Sequence, residues 1–157
     1  MIIKRGDFSD AKVKALLTLH LQGMRDASPP GHSFALDWTG LQKPEINFYT
    51  GWDGEALVVI GAVKQLDDDV GEIKSMRVAQ GQAGRGYGEA MLLHIITEAQ
   101  RRGLKRLSLE TGTSEAFSAA LALYSKHGFR EGEKFADYEK SEFCKFFHLD
   151  LSTSPRQ

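Results

Sequence analysis

The apolar positions at the start of the chain predict a short strand followed by an amphipathic helix. Residues 1–4 favour extended structure, and between Val13 and Met24 apolar side chains return every three or four residues. That spacing places them on one face of a helix, which Ser9 or Asp10 is suited to cap. Two consecutive prolines a few residues later end the helix, because proline has no backbone N–H to donate.

Three further strands are predicted in the middle of the chain, after a long connection over residues 28–44. Residues 46–50, 56–63 and 72–78 are rich in β-branched and aromatic side chains. The Asp-Gly pair at positions 53 and 54 is a strong signal for a tight hairpin between the first two. The three segments therefore predict an antiparallel meander. Strict alternation in the third would put Glu72, Lys74, Met76 and Val78 on one face, unless a bulge breaks the register.

The second half of the chain predicts a strand–helix–strand unit and then smaller elements. Leu92, Ile95 and Ala99 share one face of a helix, and Gly103 is placed to stop it. The strand expected over residues 104–110 then lies parallel to the strand over 72–78 through a right-handed crossover. The remaining elements are a helix with Thr113 or Ser114 as its cap and two extended segments, 129–131 and 143–151.

Three glycines on alternate positions, Gly84, Gly86 and Gly88, lie where the strand passes into the helix. A helix N-terminus presents unpaired N–H groups, and glycine lets a phosphate approach the backbone closely. No Gly-Lys-Ser/Thr follows, so the loop is not a P-loop, and Glu89 or Met91 stands where a dinucleotide fingerprint needs Gly or Ala. The loop is predicted to bind an anion, with a plain connection as the alternative.

Composition and charge narrow the class of protein. The 157 residues fit one domain, 1–157, and the formal net charge of −1 gives no sign of a nucleic-acid or membrane partner. Cys144 is the single cysteine, no Cys/His cluster has the spacing of a zinc site, and no other metal site is expected. These features favour a reducing cytoplasm. The N-terminal apolar run, residues 1–3, is too short for a signal peptide or a transmembrane helix.

Two segments resemble the two signature regions of the GNAT acyl-CoA-dependent N-acetyltransferases. They are residues 84–92, around the glycine loop, and residues 120–129, with Leu-Tyr followed three residues later by Gly-Phe. The resemblance implies the α/β (α+β) GNAT fold. This fold is a mixed, mostly antiparallel sheet of six to seven strands flanked by about four helices. Its central parallel strand pair is splayed where acetyl-CoA binds.

The resemblance also implies acetyl-CoA as co-substrate and indicates which residues hold it. Backbone groups of Met76, Arg77 and Val78 would pair with the pantetheine arm, and Phe117, where the family often has Asn, could pack on it. Backbone amides in the loop would hold the pyrophosphate, from Ala83, Gly84, Arg85, Gly86, Tyr87, Gly88 and Glu89. Because Ala83 stands where the family usually has Arg or Gln, weaker binding is expected, not its loss.

Two catalytic roles follow from the same resemblance. Tyr124 occupies the family's usual general-acid position, where a phenol protonates the departing thiolate; without the motif it would be interpreted as a core tyrosine. Glu72 lies where the family often has its general base, which takes the proton of the amine directly or through water. The alternative for Glu72 is a solvated or ion-paired carboxylate.

The acceptor side is predicted from residues that would line the splayed gap, namely His20, Arg25, Ser28, Glu110 and Tyr138. Arg25 would suit an acceptor carboxylate, or it is a surface arginine. The function expected is transfer of an acetyl group to the amine of a small molecule or peptide, in a protein that could form a homodimer. The alternative is a GNAT-fold sensor that binds acyl-CoA without catalysis, and a dinucleotide enzyme is a poorer third.

Overall fold

The computed structural model describes residues 1–27, 38–114, 117–136 and 138–151. They form one seven-stranded sheet with the order β1-β2-β3-β4-β5-β7-β6. The strands are β1 (Ile2–Arg5), β2 (Ile46–Asp53), β3 (Ala56–Gln65), β4 (Val70–Val78), β5 (Arg106–Gly112), β6 (Arg130–Gly132) and β7 (Cys144–Asp150). The helices are α1 (Ala11–Ala27), the short α2 (Trp38–Leu41), α3 (Tyr87–Arg101) and α4 (Ser118–Lys126).

The sheet is mixed and mostly antiparallel, as the sequence predicts. Only β4 and β5 are parallel among the paired strands of the described residues, and α3 connects them. The β2–β3 hairpin turns at Gly54, whose φ of 61° a residue with a side chain adopts at a cost. Asp10 caps α1, because its Oδ1 accepts the backbone N–H of Lys12 at 2.7 Å.

Two apolar clusters hold the helices on the sheet. In one, Met91, Leu92 and Ile95 of α3 are fully buried with strand residues and with Tyr124 of α4. In the other, Val13 of α1 is buried against β2 and β3. Burying a large apolar side chain contributes about 1.5–3 kcal/mol, so packing, more than helix propensity, fixes where these helices lie.

The central parallel pair separates soon after it begins. β4 pairs with β5 only from Val70 to Glu72, although β4 continues to Val78. Beyond Glu72, the pairing of β4 with β3 gains one extra residue on β4, where Ser75 has a φ of 58°. This bulge turns β4 away from β5 and leaves the facing edges of the two strands apart.

The bulge also decides which side chains share a face. Lys74, before the bulge, contacts Tyr138, whereas Met76 and Val78, after it, pack against the cluster that contains α3. Strict alternation, with Glu72, Lys74, Met76 and Val78 on one face, therefore does not hold, and the alternative of a bulge that breaks the register is confirmed. The extra residue shifts the two-residue alternation by one position.

The start of α4 differs from its sequence prediction. Neither Thr113 nor Ser114 caps the helix, which follows Phe117 without a side-chain cap. The Thr113 hydroxyl donates to the carbonyl of Glu142 at 3.0 Å, and the Ser114 hydroxyl donates to that of Ala27 at 3.0 Å. Both hydroxyls tie the end of β5 to neighbouring segments, and this use cannot be inferred from local sequence.

Candidate active site

A cavity of about 90 Å³ lies where β4 and β5 separate. It is small beside the ~300–1,000 Å³ of pockets that enclose whole ligands, so it suits the reacting ends of two molecules. Seven of the residues singled out in the sequence line it, namely Glu72, Tyr124, His20, Glu110, Tyr138, Met76 and Phe117. The fold thus collects side chains from α1, β4, β5, α4 and the segment before β7 at one point.

The glycine loop leaves the N-terminus of α3 open to an anion. Gly84 and Gly86 have φ values of 80° and 83°, and a Cβ on either would meet nothing within 4 Å. Gly86 is the N-cap and offers no side-chain cap, and the carbonyl of Gly86 accepts the N–H of Ala90 at 3.0 Å. The N–H groups of residues 87–89 therefore precede the first intrahelical bond and are free for a ligand. This arrangement fits a pyrophosphate.

Side chains of the first turn of α3 fix it to its neighbours. The Tyr87 hydroxyl donates to Oδ2 of Asp53 at 2.7 Å, at the end of β2. Glu89 Oε2 lies 2.8 Å from Nζ of Lys126 and 2.6 Å from Nε2 of His127, at the end of α4. The hydrogen bond from Lys126, with that from His127, holds the pKa of Glu89 below its ordinary value. These contacts set the orientation of the loop and leave its backbone unblocked.

The open edge of β4 fits an extended molecule. Among the described residues, no strand pairs with the β5-facing edge of β4 over residues 76–78. Arg77 turns away from this edge, because its guanidinium donates to the carbonyl of Leu19 at 3.3 Å. Backbone groups along the edge can pair with the amides of a pantetheine arm as a further strand would. The ring of Phe117 packs over Gly112 on β5. A Cβ on Gly112 would lie 2.2 Å from the nearest atom of this ring.

Tyr124 is a buried phenol at the cavity. It is 7 % exposed, it packs against Phe129 with ring centroids 5.5 Å apart, and its hydroxyl makes no hydrogen bond to a described residue. Burial raises its pKa to about 12. The side chain therefore carries its proton at neutral pH and can donate it to a leaving group.

Glu72, Lys74 and Tyr138 form a buried hydrogen-bonded triad. Glu72 is 2 % exposed, and its Oε2 accepts the Tyr138 hydroxyl at 2.5 Å and Nζ of Lys74 at 3.2 Å. Nζ of Lys74 also donates to the Tyr138 oxygen at 2.7 Å. Burial, followed by the charge of Glu72, raises the pKa of Tyr138 above its ordinary value. The triad joins the segment before β7 to β4.

Glu110 lies in the same cavity. Burial raises the pKa of its carboxyl to about 7, the neighbouring charge of Lys74 lowers it, and that of Glu72 raises it. A carboxyl with this pKa is partly deprotonated at neutral pH and can accept a proton. The sequence places Glu110 at the gap but gives no sign of this pKa, because the shift arises from burial.

Of the other residues predicted to contact the acceptor amine, only some lie at the cavity. His20 lines the cavity at 3 % exposed, and its ring nitrogens find no partner within the described residues. Arg25 is exposed in the last turn of α1 and is not among the lining residues, and Ser28 lies outside the described residues. Lys74 and Ser75 line the cavity without having been predicted there. For Lys74 the signal was its position two residues after Glu72; for Ser75 there was none.

No group of three His, Cys, Asp or Glu side chains is placed to hold a metal ion in the part of the chain that the structure describes. None of the helices in that part is long and apolar enough to cross a bilayer.

The fold and the cavity together define a class of enzyme that transfers an acyl group from a coenzyme A thioester. Comparison with known proteins narrows the class, because the model of the acetyltransferase (GNAT) family matches residues 13–129. The chain belongs to this family, and it is an acetyl-CoA-dependent N-acetyltransferase. The recognition made from the two signature segments is therefore confirmed.

Individual relatives agree with the family model. The uncharacterized N-acetyltransferase YedL of Escherichia coli is 47 % identical over 95 % of this chain and 94 % of its own. The uncharacterized N-acetyltransferase YsnE of Bacillus subtilis is 44 % identical over 88 % and 91 %. A GNAT acetyltransferase from Elizabethkingia anophelis, solved with acetyl-CoA bound, has a TM-score of 0.69 at 18 % identity and covers 95 % of this chain and 97 % of its own. That structure shows that the fold is shared.

Proposed function

We propose that the chain acetylates the primary amine of a small molecule or peptide inside the cavity between β4 and β5. The observation that supports this most is the meeting of Tyr124, Glu110 and Glu72 at the point where the two strands separate. An acid, a proton acceptor and an open strand edge are the parts that amine acetylation by a thioester requires.

Acetyl-CoA is held by backbone groups in this proposal. The N–H groups of residues 83–89 bind its pyrophosphate, and the edge of residues 76–78 pairs with the pantetheine arm. Phe117 packs beside the arm. The unpaired N–H groups at the start of α3 and the unpaired edge of β4 support both roles. The co-substrate supplies the activated acetyl group as a thioester.

Glu110 is the proton acceptor that the electrostatics favour. The amine nitrogen attacks the thioester carbonyl carbon, a C–N bond forms, and the amine proton passes to the Glu110 carboxylate directly or through water. The C–S bond breaks, and the thiolate takes the proton of Tyr124. A pKa of about 7 suits Glu110 to this task, and a pKa of about 12 keeps Tyr124 protonated.

Glu72 stays a prediction as the base. Its carboxylate is already bonded to Tyr138 and Lys74, and this supports a positioning role in which it fixes Tyr138 over the cavity. The two carboxylates can be separated by experiment. Glu110→Gln removes the proposed proton acceptor and leaves the hydrogen bonds among Glu72, Lys74 and Tyr138 in place. Glu72→Gln disturbs those hydrogen bonds and leaves the Glu110 carboxyl in place.

The test of the function is release of CoA from acetyl-CoA in the presence of a panel of primary amines. We expect turnover with some of them, and a loss of about 10²- to 10⁴-fold in kcat for Tyr124→Phe with acetyl-CoA binding retained. Thr18→Ala, on the exposed face of α1, is the matched control. Tight acetyl-CoA binding with no turnover on any amine would instead support the alternative function, a sensor that binds acyl-CoA without catalysis.

Two expectations about the molecule in the cell belong to the same proposal. A homodimer is supported by the edge strands β1 and β6, which leave one side of each strand without a partner among the described residues. Light scattering on the purified chain tests it. A reducing cytoplasm is supported by the free thiol of Cys144, and fractionation of cells tests it.

A further inference from the structure

Unpaired polar atoms are concentrated at the active-site cavity. Within the described residues, five buried side-chain polar atoms have no hydrogen-bond partner. Three of them are the two ring nitrogens of His20 and Oγ of Ser75, and both side chains line the cavity. Because His20 is 3 % and Ser75 7 % exposed, bulk water does not satisfy them. Native proteins pair nearly all such atoms, so this concentration indicates a missing partner.

Three other buried polar side chains of the sheet have hydrogen-bond partners. Oγ of Ser108 lies 2.8 Å from Nδ1 of His148, and the Thr50 hydroxyl donates to the carbonyl of Lys4 at 3.3 Å. Glu72 accepts two hydrogen bonds. The fold provides partners for Ser108, Thr50 and Glu72, whereas the ring nitrogens of His20 and Oγ of Ser75 have none among the described residues.

The backbone at Ser75 is strained, and the Ser75 hydroxyl makes no hydrogen bond among the described residues that would offset this strain. The φ of 58° at Ser75 is left-handed, a conformation that glycine adopts freely and that a residue with a Cβ adopts only at a cost. A serine at this position places a hydroxyl on the bulge, and glycine would fit the backbone with less strain. Strained backbone of this kind is common where a side chain serves a ligand.

The two side chains together match an uncharged group that both donates and accepts hydrogen bonds. Burial, with the positive charge of Arg77, lowers the pKa of His20 to about 4. At neutral pH its ring therefore has one donor and one acceptor nitrogen, and the Ser75 hydroxyl also donates and accepts. A hydroxyl or a carboxamide satisfies both partners, whereas a methyl group satisfies neither.

Charge in the cavity argues against a carboxylate on the acceptor. Among the described residues, the charged groups that line it are Glu72, Lys74 and Glu110, and Lys74 is already paired with Glu72. Deprotonation of Glu110 leaves a surplus of negative charge, which attracts an ammonium group and repels a carboxylate. Arg25, the cation predicted to bind a carboxylate, is not among the lining residues.

We propose that His20 and Ser75 form a subsite for an uncharged hydroxyl or carboxamide on the acceptor. This inference rests on the proposed function. The acceptor is then an amino alcohol or an amino-acid amide, and simple alkylamines and free amino acids are poorer substrates. His20 and Ser75 determine specificity and take no part in proton transfer.

The test compares matched acceptors by CoA release at neutral pH. Short amino alcohols are paired with alkylamines of equal length, and amino-acid amides with the free amino acids. We expect kcat/KM to favour the hydroxyl or amide member by about tenfold, the value of one well-made hydrogen bond. In His20→Phe and Ser75→Gly that ratio falls toward one. Glycine suits the positive φ, so Ser75→Gly removes the hydroxyl without adding strain.

Controls keep the result specific. Thr18→Ala retains the preference of the wild type, and His20→Gln, which keeps a donor and an acceptor, restores part of it. The subsite is overturned if the wild type shows no preference for the hydroxyl or amide substrates. It is also overturned if neither His20→Phe nor Ser75→Gly changes the ratio of kcat/KM values. Ordered water would then fill the unpaired positions.

A second measurement needs no turnover. In the protein with CoA bound, the NMR signal of the His20 ring, assigned by its loss in His20→Phe, is followed as amines are added. A shift with amino alcohols and none with alkylamines supports the subsite, even if no amine is acetylated and the proposed function fails. Equal shifts, or none with either, overturn the subsite.

Discussion

At the scale of single residues, the proposed role of Glu110 as proton acceptor depends on the environment of its carboxyl. Burial raises its pKa to about 7, while Lys74 and Glu72, both on β4, act on it with opposite charge. A base is most effective when its pKa lies near the working pH. In the proposed mechanism, Lys74 and Glu72 therefore adjust the pH range in which Glu110 can accept a proton.

The pH profile of the enzyme should report this carboxyl. Only deprotonated Glu110 accepts a proton, so kcat/KM is expected to rise with pH and to level off above about 7, the pKa given by burial. The measurement is kcat/KM against pH with one fixed amine. Because the amine also titrates, the decisive comparison is between the wild type and Glu110→Gln. The rising limb of the pH profile near pH 7 should be present in the wild type and absent in Glu110→Gln.

Changing the neighbours of Glu110 should move that limb in opposite directions. Glu72→Gln removes a negative charge, so the pKa of Glu110 falls and the limb moves to lower pH. Lys74→Met removes a positive charge, so the limb moves to higher pH. Circular dichroism checks that each variant is folded, since both changes break a buried pair. Limbs that stay fixed in both folded variants would exclude Glu110 as the titrating base.

At the scale of elements, the left-handed glycines before α3 decide whether its N–H groups can face a phosphate. Gly86, with a φ of 83°, ends the loop and starts the helix. In Gly86→Ala the side chain meets open space, so the cost is backbone strain of about 1–2 kcal/mol. The loop can relieve it only by turning its amides, and we expect a higher KM for acetyl-CoA together with lower stability.

Gly54→Ala is the matched control for this element. Gly54 also has a positive φ and open space around it, but it lies in the β2–β3 turn. Chemical denaturation should show a similar loss of stability in both variants, and steady-state kinetics should show a raised KM for acetyl-CoA only in Gly86→Ala. An equal KM in the two variants would contradict the role assigned to the loop.

At the scale of the whole molecule, co-substrate binding should stabilise the fold. A ligand that binds only the folded chain adds about 2.7 kcal/mol at 100 times its Kd. For a chain of this size each kcal/mol raises Tm by about 2–4 °C. We therefore expect thermal unfolding to shift upward with acetyl-CoA or CoA and to stay unchanged with NAD. Stabilisation by NAD, with none by CoA, would contradict the assignment of the glycine loop.

The order of elements and the position of the glycine loop before α3 could be predicted because the signals are local. A helix face, a hairpin at Asp53-Gly54 and glycines at a strand–helix junction each depend on residues a few positions apart. The start of α4 was missed for the opposite reason. Thr113 and Ser114 have hydroxyls suited to capping, and both are bonded to carbonyls distant in sequence.

The sequence by itself determined the family, and it predicted a sheet of six to seven strands with Tyr124, Glu72 and Glu110 near one strand pair. Tertiary structure alone decided the contacts and the burial of those side chains. The bulge at Ser75 separates the faces of β4, and the bond between Tyr138 and Glu72 joins residues 66 positions apart. The pKa of Glu110 and the unpaired atoms of His20 arise from burial. Burial and long-range contacts depend on how elements pack, and no local pattern encodes them.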